Sequence, residues 1–97
     1  MYWVGNPIMR DTEYRERIAM MNRIYAEQAE ESPGVVFVST WKTMADEQGS
    51  YAESLRDAEG RPKLVRHSDG IHLTREGGDR MAGAVLDVVK EDWGIAE

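Results

Sequence analysis

Apolar and polar positions along the chain alternate in blocks: a short apolar run, a long amphipathic stretch, a second apolar run, an irregular middle and a second amphipathic stretch. Residues 2–5, Tyr-Trp-Val-Gly, are aromatic and β-branched and are stopped by Asn6-Pro7, which reads as a short buried strand. Asp11 or Thr12 can cap the helix that follows, with Glu13 and Glu16 placed to suit the helix dipole. Tyr14, Ile18, Met21 and Tyr25 step by four, three and four and so share one helical face. Ser32-Pro33-Gly34 breaks the chain. Val35-Val36-Phe37-Val38 is a continuous apolar run, the pattern of a strand covered on both faces in a parallel sheet. Strand, helix and strand in this order form a βαβ unit with a right-handed crossover.

Residues 40–66 carry little periodicity. Turn clusters at residues 46–50 and 58–62 and the apolar anchors Leu55, Leu64 and Val65 predict a long, partly ordered excursion with room for a small hairpin. The last helix starts at Thr74, a good N-cap. Its apolar face comprises Met81, Val85, Val88 or Val89, and Trp93, widened by Ala82 and Leu86. Gly77, Gly78 and Gly83 each lower helix propensity by up to about 1 kcal/mol, and glycine there allows close approach to a strand. The pattern predicts an α/β fold with two parallel strands and two helices. Such a pair has two open edges, so self-association, or pairing with strands from outside these residues, is expected.

Composition narrows the partners. At 97 residues the chain is one domain at most. A net charge of -6 and a pI near 4.9 argue against non-specific nucleic-acid binding, which needs clustered Lys and Arg. No apolar run approaches the ~18 residues of a membrane span, and no basic segment followed by an apolar core marks a signal peptide. The absence of cysteine excludes disulfides, thiol catalysis and thiolate zinc sites.

The chemistry concentrates in His67-Ser68-Asp69-Gly70-Ile71-His72-Leu73-Thr74. A carboxylate that holds one imidazole nitrogen protonated leaves the other free to act as a base. Asp69 can do this for His72 if the Gly-Ile turn aims both side chains one way. The bland alternative is a local turn with a locally bonded histidine. His67, Asp69 and His72 are also residue types that bind zinc, but a fourth ligand is missing, so no metal or organic cofactor is expected. Ser32, Ser39, Ser50, Ser54 and Ser68 all lack a nucleophile signature. In open parallel sheets ligands gather at the carboxyl ends of the strands. Those ends lead here into residues 6–10 and Thr40-Trp41, which should rim one cleft with the Asp69–His72 turn.

Asp69-Gly70-Ile71-His72-Leu73-Thr74, followed by Glu76-Gly77-Gly78 and a helix with small residues, resembles the last block of the SGNH (GDSL-like) hydrolases. Tyr2 to Arg10, Val36 to Trp41 and Gly49-Ser50-Tyr51-Ala52 are similar to a bacterial SGNH subfamily often associated with the cell envelope. The resemblance covers essentially the whole chain and the C-terminal half of an SGNH domain. It implies a partial flavodoxin-like three-layer (αβα) sandwich in which Asp69 and His72 belong to a Ser-His-Asp triad. The Gly-Asp-Ser block and the oxyanion-hole blocks would lie outside these 97 residues. An acyl-ester substrate is implied, such as an O-acetyl group of envelope polysaccharide, together with a periplasmic or envelope location. Arg10 could orient an anionic or acetylated glycan and Trp41 could stack on a sugar; a solvated arginine and a core tryptophan are the bland alternatives. A second class of function, a non-catalytic binding or assembly module with a vestigial dyad, fits the open sheet edges.

Overall fold

The computed structural model describes residues 1–94. Strand β1 (Tyr2–Val4) leads through residues 5–11 into helix α1 (Thr12–Glu31), which returns to strand β2 (Val36–Val38). The two strands pair in parallel, Tyr2 with Val36, Trp3 with Phe37 and Val4 with Val38. Gly5 prolongs the ladder by donating to the Val38 carbonyl at 2.8 Å. Asp11 is the cap of α1, accepting from the Tyr14 amide. At the other end Ser32 closes the helix, its backbone N–H bonding the Ala29 carbonyl and its hydroxyl the Gln28 carbonyl.

Neighbouring residues of a strand face opposite sides of the sheet, and β1 uses both. Trp3 stacks on Tyr25 of α1 with ring centroids 4.7 Å apart. The Tyr2 hydroxyl donates to the Asp92 carboxylate and accepts from the Trp93 indole N–H, both at 2.6 Å. These two residues end helix α2 (Arg75–Trp93). α1 therefore covers one face of the pair and the end of α2 meets the other, the αβα layering expected. Among the described residues neither outer sheet edge is paired. β2 is thus an edge despite its apolar run, and Trp3 and Val4 stay about two-fifths exposed, at 37% and 40%.

The buried face of α1 differs from the expected one. Ile18 and Ala29 are buried and Tyr25 half-buried, whereas Tyr14 and Met21 are exposed. The face is centred on Ile18, Asn22, Tyr25 and Ala29, because the Asn22 amide group bonds both the N–H and the carbonyl of Asn6, each at 2.8 Å. A polar residue thus docks the helix to the loop after β1, and a hydrophobic count does not register it. On α2, Met81, Val85, Val88 and Val89 are half-buried as expected. Ala82 and Leu86 are exposed and do not widen the face, and Trp93 is 71% exposed.

The middle of the chain is more ordered than its sequence pattern suggests. A 3₁₀ turn (Lys42–Met44) is followed by an antiparallel hairpin, β3 (Ser54–Arg56) with β4 (Pro62–Leu64). Met44, Ala45, Leu55 and Val65 join Ile8 in one buried cluster, flanked by Trp41, Tyr51, Ala52, Leu73 and Met81. Leu55 and Val65 are the anchors; Leu64, grouped with them by its type, is 51% exposed.

Thr40 links the sheet to this cluster. Its side chain is fully buried and its hydroxyl donates to the Gly5 carbonyl at 2.7 Å. Thr40→Val keeps the shape but strands that carbonyl, and a buried acceptor without a donor costs about 1–3 kcal/mol. A fall of that size in urea-unfolding stability is expected; a neutral result would mean that water reaches the carbonyl.

Candidate functional site

The turn ahead of α2 is built by Asp69. Its Oδ1 accepts the backbone N–H groups of Ile71 and His72 at 2.8 and 2.9 Å. Its Oδ2 accepts from His72 Nδ1 at 2.5 Å. One carboxylate therefore shapes the turn and orients the ring. In a neutral ring this contact keeps the proton on Nδ1 and gives Nε2 the lone pair. The His72 side chain is 75% exposed, so Nε2 faces outward. Gly70 sits between the pair at a φ of +74°, a conformation that side chains resist. A Cβ at Gly70 would also run into the Arg10 side chain.

The turn is tied down from outside. The carbonyl of Ser68 accepts from Arg10 Nη1 at 2.8 Å, and that of Gly70 from the Arg10 backbone N–H. The carbonyl of Ile71 accepts from Arg66 Nη2 at 3.0 Å. Arg66 Nη1 also donates to the Ile8 carbonyl at 2.6 Å. The loop leaving the carboxyl end of β1 therefore meets the Asp69–His72 turn, which is one half of the expected rim; beyond β2, Thr40 bonds the Gly5 carbonyl and Trp41 packs on the central cluster. The turn is also braced from within. Its closure is completed by the His67 N–H donating to the His72 carbonyl at 2.8 Å. Thr74 then caps α2, accepting from the Gly77 amide and donating to the Leu64 carbonyl.

Arg10 lies beside the turn, held by the Ser68 carbonyl. Trp41 is half-buried against the central cluster. Among the described residues no serine hydroxyl is hydrogen-bonded to His72, and no group of three potential metal ligands is gathered. A cleft of about 510 Å³ lies elsewhere, between the turn at residues 45–48, β3 and Arg80 of α2. Arg66 has no counterpart in the sequence reading. It is fully buried, with its guanidinium 5.2 Å from the centre of the Tyr51 ring. Burial pulls it below its ordinary pKa, with Tyr51 and Asp69 pulling the other way. Sequence offers no local signal for it, because an arginine in a polar stretch looks the same buried or solvated.

The Asp69 carboxyl is held well below the usual carboxylate range, first by the His72 ring and then by the two backbone N–H groups. A carboxyl depressed by folding stabilises the native state above its unfolded pKa and loses that contribution as pH falls through the folded value. Followed by NMR, the Asp69 carboxyl carbon is expected to titrate below the unfolded value of about 3.9. The turn should stay intact at pH 4 and loosen only in stronger acid. A midpoint at or above the unfolded value would show that the ring bond does not persist in solution.

The fold and this turn define a small α/β unit with a carboxylate–imidazole pair beyond the carboxyl end of a parallel strand. Residues 1–88 match the model of the family DUF459, described as a protein of unknown function, and the chain belongs to that family. No curated protein matches it. Among the described residues no helix is long and apolar enough to cross a membrane.

Proposed function

We propose that this segment is the proton-handling part of an SGNH-type serine ester hydrolase. His72 is the general base, and Asp69 orients it and stabilises the imidazolium that forms. The nucleophile is a serine on polypeptide outside these 97 residues. The supporting observation is the Asp69 Oδ2–His72 Nδ1 bond at 2.5 Å on an exposed ring, beside the loop that leaves β1. During acylation Nε2 takes the serine proton as its oxygen attacks the ester carbonyl. The imidazolium then returns that proton to the departing alcohol. General-base help of this kind is worth about 10²–10⁴-fold. Arg10 and Trp41 are the substrate contacts in this proposal, and an O-acetyl ester of an envelope polysaccharide is the substrate class. No metal or cofactor is required.

The unpaired sheet edges and the half-exposed Trp3 and Val4 favour a second reading, a binding or assembly module that adds a strand from a partner and keeps the dyad as a relic. One experiment separates the two. The 97 residues alone are expected to give no turnover of p-nitrophenyl acetate above buffer. A polypeptide that also carries a Gly-Asp-Ser segment is expected to turn it over. Absence of turnover from both, with stable self-association, would favour the module. A robust rate from the 97 residues that His72→Ala abolishes would place the nucleophile inside them.

A further inference from the structure

Neither side chain of the dyad is packed: Asp69 is 43% and His72 75% exposed. Their relative position therefore depends on the backbone of the turn, and that backbone needs anchors. Arg66 is the anchor that reaches deepest. It lies three residues before Asp69, yet its guanidinium points into the protein, holding the Ile8 carbonyl with Nη1, the Ile71 carbonyl with Nη2, and the Met9 sulfur at 3.1 Å. Ile71 shares a peptide with His72, and the N–H of that peptide is donated to Asp69 Oδ1. The Ile71–His72 peptide is thus gripped at both ends, its oxygen by Arg66 and its nitrogen by Asp69. A buried guanidinium is expensive to desolvate, and its Nε has no hydrogen-bond partner among the described residues. A Met or Leu would fill the same space without that cost, but could not hold two carbonyls on separate loops. Among the described residues no carboxylate forms an ion pair with this guanidinium; its hydrogen bonds go to the two carbonyls and to the Met9 sulfur.

We propose that Arg66 is a positioning residue for the Asp69–His72 pair: by clamping the Ile8 and Ile71 carbonyls, it sets where His72 Nε2 stands relative to the end of β1. The inference rests on the hydrolase reading for its functional meaning, but its test does not need the reaction. Arg66→Lys keeps the charge and offers no planar fork to span both carbonyls. In the 97-residue protein, amide exchange at Ile71 and His72 is expected to rise about tenfold or more, while Val38 and Met44 change less than about twofold. The His72 ring nitrogens are expected to shift from a fixed Nδ1–H form towards an averaged pair of tautomers. A folded Arg66→Lys protein in which both signals match the wild type overturns the proposal, as does equal loss of protection everywhere, which marks a purely structural role.

If Arg66→Lys does not fold, the wild-type protein decides. Separate, slowly exchanging Arg66 Nη–H resonances with a through-hydrogen-bond coupling to the Ile71 carbonyl are expected. A single averaged Nη signal would overturn the clamp. The hydrolase reading fails on different evidence, the absence of turnover from a serine-bearing polypeptide, which leaves these NMR results untouched.

Discussion

Gly77→Ala is expected to cost about 3 kcal/mol or more, at or above the upper end of what overpacking costs, although alanine is the better helix former by about 1 kcal/mol. Gly77 is the buried glycine of the first turn of α2, and a Cβ there would sit on the carbonyl of Val65. That oxygen is backbone and already accepts from the Thr74 N–H at 3.1 Å, so it cannot swing aside as a flexible side chain would. Relief would require α2 to move off Val65, opening the central cluster and unseating the Thr74 cap. Gly83, on the same helix with open space around its missing Cβ, is the internal control. Gly83→Ala should gain up to about 1 kcal/mol. Urea unfolding of both variants checks the opposite signs, and a stabilised Gly77→Ala protein would show that the helix does not lie so close.

Asp69→Asn is expected to leave the fold in place and to lower kcat by up to about 10⁴ in a serine-bearing polypeptide, the scale seen when a triad carboxylate is neutralised. An asparagine oxygen can still accept the Ile71 and His72 N–H groups, so the turn survives. At the other terminus of the side chain an amide replaces the carboxylate oxygen that receives His72 Nδ1–H. If that amide N–H faces the ring, the preferred tautomer reverses and Nε2 carries the proton it should accept. His72→Ala should cost at least as much, because it removes the base. The double variant should be little worse than His72→Ala alone, since residues that act as one unit are not additive. Kinetics with an acetyl ester check this. Equal activity of wild type and Asp69→Asn would remove Asp69 from the mechanism.

The parts that depend on near neighbours in the chain were legible in the sequence. Asp69 and His72 meet across three residues, and the Asp11 and Thr74 caps are equally local. Two apolar runs separated by an amphipathic helix gave the parallel pair. Of the central cluster only the anchors Leu55 and Val65, and Trp41 as a core alternative, were legible, because Met44, Ala45 and Tyr51 lie on a 3₁₀ turn and an isolated bridge, which impose no period. The orientation of α1 was missed for a related reason. Asn22 docks the helix through hydrogen bonds, and a hydrophobic pattern turns the helix towards Met21 instead. Arg66 lies furthest from sequence reasoning, since its burial is decided by Ile8, Met9 and Tyr51, at distances along the chain that no local motif spans.

The two aromatic residues at the start of β1 carry a consequence for alignment of the whole unit. Tyr2 belongs to the layer of α2 and Trp3 to that of α1, so sliding the strand by one position would hand the indole to the wrong helix and aim the phenol at Tyr25. Such a slip would forfeit the ring stack and the hydroxyl's two partners together. Adjacent large side chains with opposite loyalties thus act as a lock on strand register, and a three-residue ribbon with few ladder bonds has particular need of one.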